Sequence, residues 1–286
     1  VLPDLKTELV KTKPDLILFA SGGSEMHAQE LLKESSFCIL IADSENNSYA
    51  AASEVKAFAN QNYKKCKLLH LNAPETKVYF HKFLKIKESA EQLVDKTICL
   101  IGEVSPWLIA SQTHEKSLQN KFGIKIKHIL WNELKHYGDM EEKGILKESF
   151  PTADQRKLTE SEKVYELILE TVNSNAADAV SVECFSMVKE HKVTACLALA
   201  QLCKDGISAG CEGDIPSTVG LLLAKEITGS VPWMANLASL HSEQGLFAHC
   251  TVSPDLIDSV KTPTHFETNE GLAVQGEFKA DAVTIF

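Results

Sequence analysis

Two acidic strand ends and a downstream histidine are the residues of this sequence whose types and spacing could do chemistry. AVSVEC places Glu183 at the close of one βα unit, and ISAGCEGD places Glu212 and Asp214 at the close of the next. Neighbouring parallel strands lie about 4.8 Å apart, so carboxylates at their carboxyl ends can converge on one point. That point can hold a divalent cation, because a carboxylate in apolar surroundings is costly unless it is paired, protonated or bound to metal. The plainer alternative makes Asp214 the cap of the helix that begins at Pro216 and leaves Glu183 facing solvent beyond its strand. Histidine would be the natural third ligand. His241, His249 and His265 are all downstream, and His249, in GLFAHCT, reads as an interruption of an apolar strand. A satisfied core or edge histidine is the competing reading for that position.

The elements that must position these groups are legible as alternating strands and helices. An apolar run, Asp15 to Ala20, turns at Ser21-Gly22-Gly23-Ser24 into a helical stretch from Glu25 to Lys33; Phe37 to Ala42 and Ser48 to Asn60 repeat the unit. A strand at Thr97 to Ile101, a loop at Gly102 to Pro106, a helix beginning near Trp107 and a strand at Ile124 to Leu130 follow. Helices at Glu160–Asn173 and Val193–Lys204 lead into strands at Ala179–Glu183 and Ile207–Cys211, and a helix from Pro216 ends at Gly229. Such alternation implies parallel sheets. From Val231 onward, short strands joined by Gly-, Asn- and Pro-containing turns read as the start of an antiparallel sheet or barrel. The expected organisation is α/β: an amino-terminal lobe over 1–94, a second lobe over 95–157 completed by part of 158–230, and a β domain starting at 231–286 that reads as cut off. The polar stretch Lys147 to Lys157 is the linker candidate.

Bulk properties exclude several classes. The 286 residues carry a net charge of −10, and Arg156 is the single arginine among 29 basic residues, which argues against a nucleic-acid partner. No apolar run reaches the length of a membrane span, and the first residues lack the pattern of a signal peptide, so a cytoplasmic protein is expected. Eight cysteines without Cys-x-x-Cys spacing read as reduced core residues rather than a disulfide frame or zinc site. Ser21-Gly22-Gly23-Ser24 lacks the spacing of a nucleotide loop and reads as a tight turn. Trp107 and Trp233 could stack on a sugar ring or fill core.

CEGDIPSTVGLLLAKEITGSVPWMANL, residues 211–237, resembles the segment of the L-fucose and L-arabinose isomerase superfamily in which a Glu-x-Asp motif opens a helix ending in Thr/Ser-Gly. The resemblance extends to VECFS (182–186), AHCTV (248–252) and THFETNEGLAVQGEF (264–278), and in the amino-terminal region to SGGSE, NNSYAAASEVKAF and GEVSPWLIAS. It implies two Rossmann-like lobes with parallel sheets, then an α/β catalytic region leading into an antiparallel β domain. It also implies aldose–ketose isomerisation through a cis-enediol, with Mn²⁺ or another divalent cation such as Mg²⁺ holding the sugar oxygens. Carried over residue by residue, Glu183 and Asp214 become metal ligands that also serve as base and acid, and His249 becomes the third ligand. Cys184 and Cys250 adjoin these positions but, on alternating strands, face the other way and take no metal role. The implied partners are a small sugar substrate and further copies of the chain in a homo-oligomer. Asn236 stands where many relatives carry Asp, and the chain is shorter than the long fucose isomerases, so the sugar stays unnamed. A non-catalytic sugar-binding or regulatory protein, and a lyase or epimerase of the same fold, are the alternatives.

Overall fold

The computed structural model describes residues 14–33, 35–112 and 115–285. The chain divides into two compact units between Lys85 and Ile86. The first unit is a three-stranded parallel sheet in the order β1-β2-β3, with β1 at Leu16–Phe19, β2 at Phe37–Ala42 and β3 at Lys65–His70. Helices α1 (Glu25–Leu32) and α2 (Ser48–Gln61) connect them, and α3 (Pro74–Gln92) follows. The continuous apolar run of β2 is buried along five of its six residues, as expected of a strand covered on both faces. Its Cys38 and Leu40 side chains pack with Ala51, Ala52 and Val55 of α2.

The second unit holds a four-stranded parallel sheet in the order β5-β4-β6-β7: β4 Thr97–Ile101, β5 Lys125–Ile129, β6 Ala179–Val182 and β7 Ser208–Cys211. The connecting helices are α4 (Glu115–Phe122), α5 (Ile145–Ser149), α6 (Gln155–Ser174), α7 (Phe185–His191), α8 (Cys196–Lys204) and α9 (Ile215–Thr228). Pro216 in the first turn of α9 and Gly229 in the left-handed conformation just past its end bound that helix as the sequence predicts. Two antiparallel hairpins follow, β8 (Asn236–His241) with β9 (Gln244–Ala248), and β10 (Ile257–Lys261) with β11 (Gln275–Phe278). Parallel sheets with small antiparallel ones confirm the α/β class read from the sequence. Val252, Ile257, Leu272 and Val274 join the core around β4, β6 and α8.

Two local expectations are corrected. The backbone after Trp107 is a series of turns, and the helix in this region is α4, from Glu115. The stretch 147–157 is not a linker: Phe150 is fully buried, Ala153 is buried beside it, and Asp154 caps α6 by accepting from Lys157 N at 2.9 Å. Strand β3, which the sequence reading did not mark, pairs with β2 as the third strand of the first sheet, and α3 runs on from it across the boundary between the units. Among the described residues no helix is long and apolar enough to cross a membrane.

Candidate active site

The order β5-β4-β6-β7 reverses direction between β4 and β6. In an open parallel sheet that reversal leaves a crevice beyond the carboxyl ends, because successive connections leave toward opposite edges. Three loops meet there: residues 102–105 after β4, Glu183 and Cys184 after β6, and 212–214 after β7. They lie unusually close. Gly102, at φ +79°, and Gly213, at φ +67°, have no room for a side chain: a Cβ on Gly102 would stand 2.8 Å from Glu183 Cβ, and one on Gly213 2.6 Å from the Glu103 carbonyl oxygen. Backbone hydrogen bonds lock the approach, Ser105 N to Glu212 O at 2.9 Å and Gly213 N to Val182 O at 3.2 Å. Trp131 Nε1 adds a bond to Glu183 O at 3.1 Å. Glu212 itself adopts φ +62°, a left-handed backbone that costs a non-glycine residue stability and that clusters at functional sites.

The acidic side chains meet different neighbours. Glu183 is half-buried; its Oε1 accepts from Ser186 N at 3.1 Å and its Oε2 from the Ser186 hydroxyl, so it tethers the start of α7. Asp214 is buried and caps α9, Oδ1 accepting from Ser217 N at 3.0 Å and Oδ2 from Ser217 Oγ at 2.8 Å. Glu212 Oε2 accepts from Trp107 Nε1 at 2.5 Å, and Trp107 stands edge-on to Phe185 with centroids 5.0 Å apart. Glu103, directly after Gly102, places a fourth carboxylate at the same end, 3.7 Å from His128 Nε2. It escaped the sequence reading because it stands two residues past the buried end of β4, beyond Gly102, whereas Glu183 directly follows the buried run of β6.

His249 does not interrupt a strand; it follows β9, and its Nδ1 lies 2.9 Å from Thr251 Oγ1. Strand alternation therefore does not govern the direction of Cys250, nor that of Cys184, which stands past the end of β6 at the start of α7. Among the described residues Glu183, Asp214 and His249 do not form a group with ligating atoms within 4.8 Å of one another, whereas Cys196, Cys250 and His265 do. Cys196 Sγ is 3.3 Å from Cys250 Sγ, and Cys184 Sγ is 3.1 Å from Cys211 Sγ. The contact with Cys196, and then the facing imidazoles of His249 and His265, hold the Cys250 thiol well below its ordinary range. Cys250 in turn raises His265, and the contact with Cys250, then burial, raises Cys196. Phe185 packs edge-on to His265 at 5.9 Å between centroids, which joins this cluster to the Trp107–Glu212 pair.

The chain is similar to the sulfoquinovose isomerases of Priestia aryabhattai and Priestia megaterium, 22% identical over 231 aligned residues, covering 71% of this chain and 49% of each relative. It spans about half the length of the curated relatives it matches. No family model matches the sequence.

Proposed function

We propose that the chain carries part or all of the catalytic centre of a sugar isomerase that interconverts an aldose and a ketose. The carrying observation is Glu183: a half-buried carboxylate at the switch point of a parallel sheet, walled by the loops after β4 and β7, in a chain similar to sugar isomerases over 71% of its length. In this reading Glu183 takes the proton from the carbon beside the carbonyl, and Asp214 exchanges a proton with the neighbouring carbon or oxygen, through a cis-enediol. Trp107, held by Glu212 and exposed, offers an aromatic face to a sugar ring.

A divalent ion such as Mn²⁺ or Mg²⁺ fits the donor types here. Glu183 and Asp214 supply hard oxygens, and His249 supplies one imidazole. Each carboxylate oxygen already accepts one hydrogen bond from its serine and keeps a lone pair beyond it. The three ligating atoms do not all lie within 4.8 Å of one another, so joint ligation requires at least one of these side chains to turn. Such an ion, when bound, would polarise the sugar carbonyl.

The relatives' name points to sulfoquinovose as the first sugar to try. A sulfonate recognised by arginine has little to draw on in this chain, whose one arginine, Arg156, lies exposed at the start of α6. Neutral aldoses therefore belong in the same panel. Copies of the chain are further proposed to associate, a neighbouring copy completing the site. Sedimentation should then give an assembly, and a monomer that keeps full activity would refute that part.

The reading is tested by incubating the purified chain with sulfoquinovose and a panel of aldoses, with and without Mn²⁺, and following ketose formation. Metal-dependent ketose from one sugar is the expected result. The second reading, a sugar-binding protein without turnover, draws on the two carboxylates being bound as helix caps; it predicts calorimetric sugar binding, no ketose, and no change on adding the ion.

A further inference from the structure

Cys196 opens α8, Cys250 follows β9, and His265 lies in the connection between β10 and β11, so three distant segments supply one cluster. The three side chains are buried. The backbone fixes each segment: Val274 N donates to Cys250 O at 3.0 Å, Leu272 N to Thr194 Oγ1 at 3.1 Å, Ala273 N to Pro263 O at 2.7 Å, and His265 N to Glu270 O at 3.0 Å. Thr194 thus ties the loop that carries His265 to the turn that leads into Cys196. A small cavity adjoins the cluster, lined by Cys184, Phe185, Ala195, Cys196 and His265 among others. The centre of a water-sized sphere has about 10 Å³ in it, room for one ion or water molecule and not for a sugar.

We propose that Cys196, Cys250 and His265 form a thiophilic metal site that takes one Zn²⁺ ion, with its fourth position toward this cavity and Cys184. The geometry is close to what that ion needs. Tetrahedral zinc with Zn–S bonds of about 2.3 Å sets its ligand atoms roughly 3.5–3.8 Å apart. The two sulfurs stand 3.3 Å apart, and the three ligating atoms lie within 4.8 Å of one another, so small rotations of buried side chains suffice. Thr268 Oγ1 lies 3.2 Å from His265 Nδ1, which leaves Nε2 as the donor and supplies the outer contact that orients a ligating ring. Two thiolates and one imidazole favour Zn²⁺ over the Mn²⁺ or Mg²⁺ suited to carboxylates. The donors are thus of a different class from the carboxylates at Glu183 and Asp214. The proposed Mn²⁺ ligand His249 lies 4.0 Å from Cys250 Sγ, and the zinc proposal does not depend on the isomerase reading. Bound zinc would fasten the segment around 249–274 to α8.

The test uses the whole chain, purified reduced and stripped by a chelator, then titrated with Zn²⁺ alone and, separately, with Co²⁺ alone. One equivalent should bind, and Co²⁺ should give thiolate-to-metal charge-transfer absorption. Zinc should slow alkylation of Cys196 and Cys250 while leaving that of Cys99, buried in β4, unchanged. Cys250→Ser and His265→Ala should each weaken zinc binding by more than about 100-fold, and Thr268→Ala by about 10-fold. Glu183→Gln should leave zinc affinity where it was, which keeps a failure of this site distinct from a failure of the catalytic one. Should the ligand variants not fold, the Co²⁺ spectrum and alkylation of the unaltered chain decide the matter. Cobalt bound without thiolate absorption, no zinc bound at micromolar concentration, or a Cys196–Cys250 disulfide isolated from the reduced, zinc-loaded chain would each overturn the proposal.

Discussion

The two units use the same layer of structure for different ends. In the first, the loops beyond the parallel strands carry short polar groups that satisfy one another: Ser48 Oγ donates to Asp43 Oδ1 at 2.7 Å, Glu45 N to the same oxygen at 2.9 Å, and Gly22 N to Asn46 O at 2.7 Å. A hollow of about 550 Å³ lies nearby, lined by Ile41, Leu71, Thr76, Phe80 and their neighbours, and no acid or thiol enters it. In the second unit the corresponding loops bring carboxylates, a tryptophan and a left-handed Glu212 to the switch point, and the cavity there is small. The larger of these two hollows and the chemistry are therefore found in different units. A sheet edge becomes a site through what its loops can bring close, and in the second unit that depends on two glycines.

The comparison would break most visibly at Glu183. If the second unit holds the chemistry, Glu183→Gln should lower turnover by about 10²–10⁴, with thermal stability nearly unchanged because the amide oxygen can still accept from Ser186. Substitutions in the first unit's loops, Ser44→Ala for instance, should leave kcat within a factor of about two.

Packing of the three loops gives the next largest effect. Gly213→Ala adds a Cβ that must meet the Glu103 carbonyl oxygen at 2.6 Å and imposes a left-handed backbone on alanine. A loss of about 2–4 kcal/mol is expected, read as a lower denaturation midpoint. Gly23→Ala in the first unit shares the positive φ, +79°, but meets nothing within 4 Å, so its cost should be about 1 kcal/mol.

Asp214 separates capping from ligation. Asp214→Ala removes the acceptor for Ser217 N and should cost about 1–2 kcal/mol, lowering Tm by about 2–6 °C. Asp214→Asn keeps a good cap and should lose little stability, yet it removes a charge from the proposed ion site and should weaken Mn²⁺ binding. Equal loss of stability in both variants would show that the carboxylate charge matters to the fold.

The smallest effect belongs to the first unit. The Ser48 hydroxyl, then the Glu45 N–H, hold the Asp43 carboxyl below the ordinary aspartate range. Because the folded value is depressed, the stability it contributes is present above the ordinary aspartate pKa and is lost as pH falls through the folded one. Nuclear magnetic resonance titration of Asp43 should give a midpoint below about 3.9, and Ser48→Ala should move it back up.

These differences were unequally legible in the sequence. FCILIA and TICLI could be read as strands because burial on both faces leaves no polar alternation, and Glu183 stood out against VSV for the same reason. KCKLLH escaped, since the lysines of β3 face solvent and break the apolar run. Phe150 and Ala153 lie inside a stretch whose polar residues suggested a linker, and only packing shows the aromatic ring turned into the core. Strand alternation was applied to Cys250, which the structure places outside any strand. Cys196, Cys250 and His265 could not be joined by spacing, because Thr194 and the 263–274 connection bring them together across the fold.

The central claim, that Glu183 moves a proton on a sugar, is met most directly by solvent exchange at C2. The unaltered chain and the Glu183→Gln variant, each with Mn²⁺ in D₂O, are incubated with the sugar that gives most ketose, and the C2 proton is followed by nuclear magnetic resonance. The account predicts loss of the C2 signal together with ketose formation for the unaltered chain, and retention of that signal for Glu183→Gln. Exchange at the same rate in both would contradict it and leave Glu183 a structural tether for Ser186.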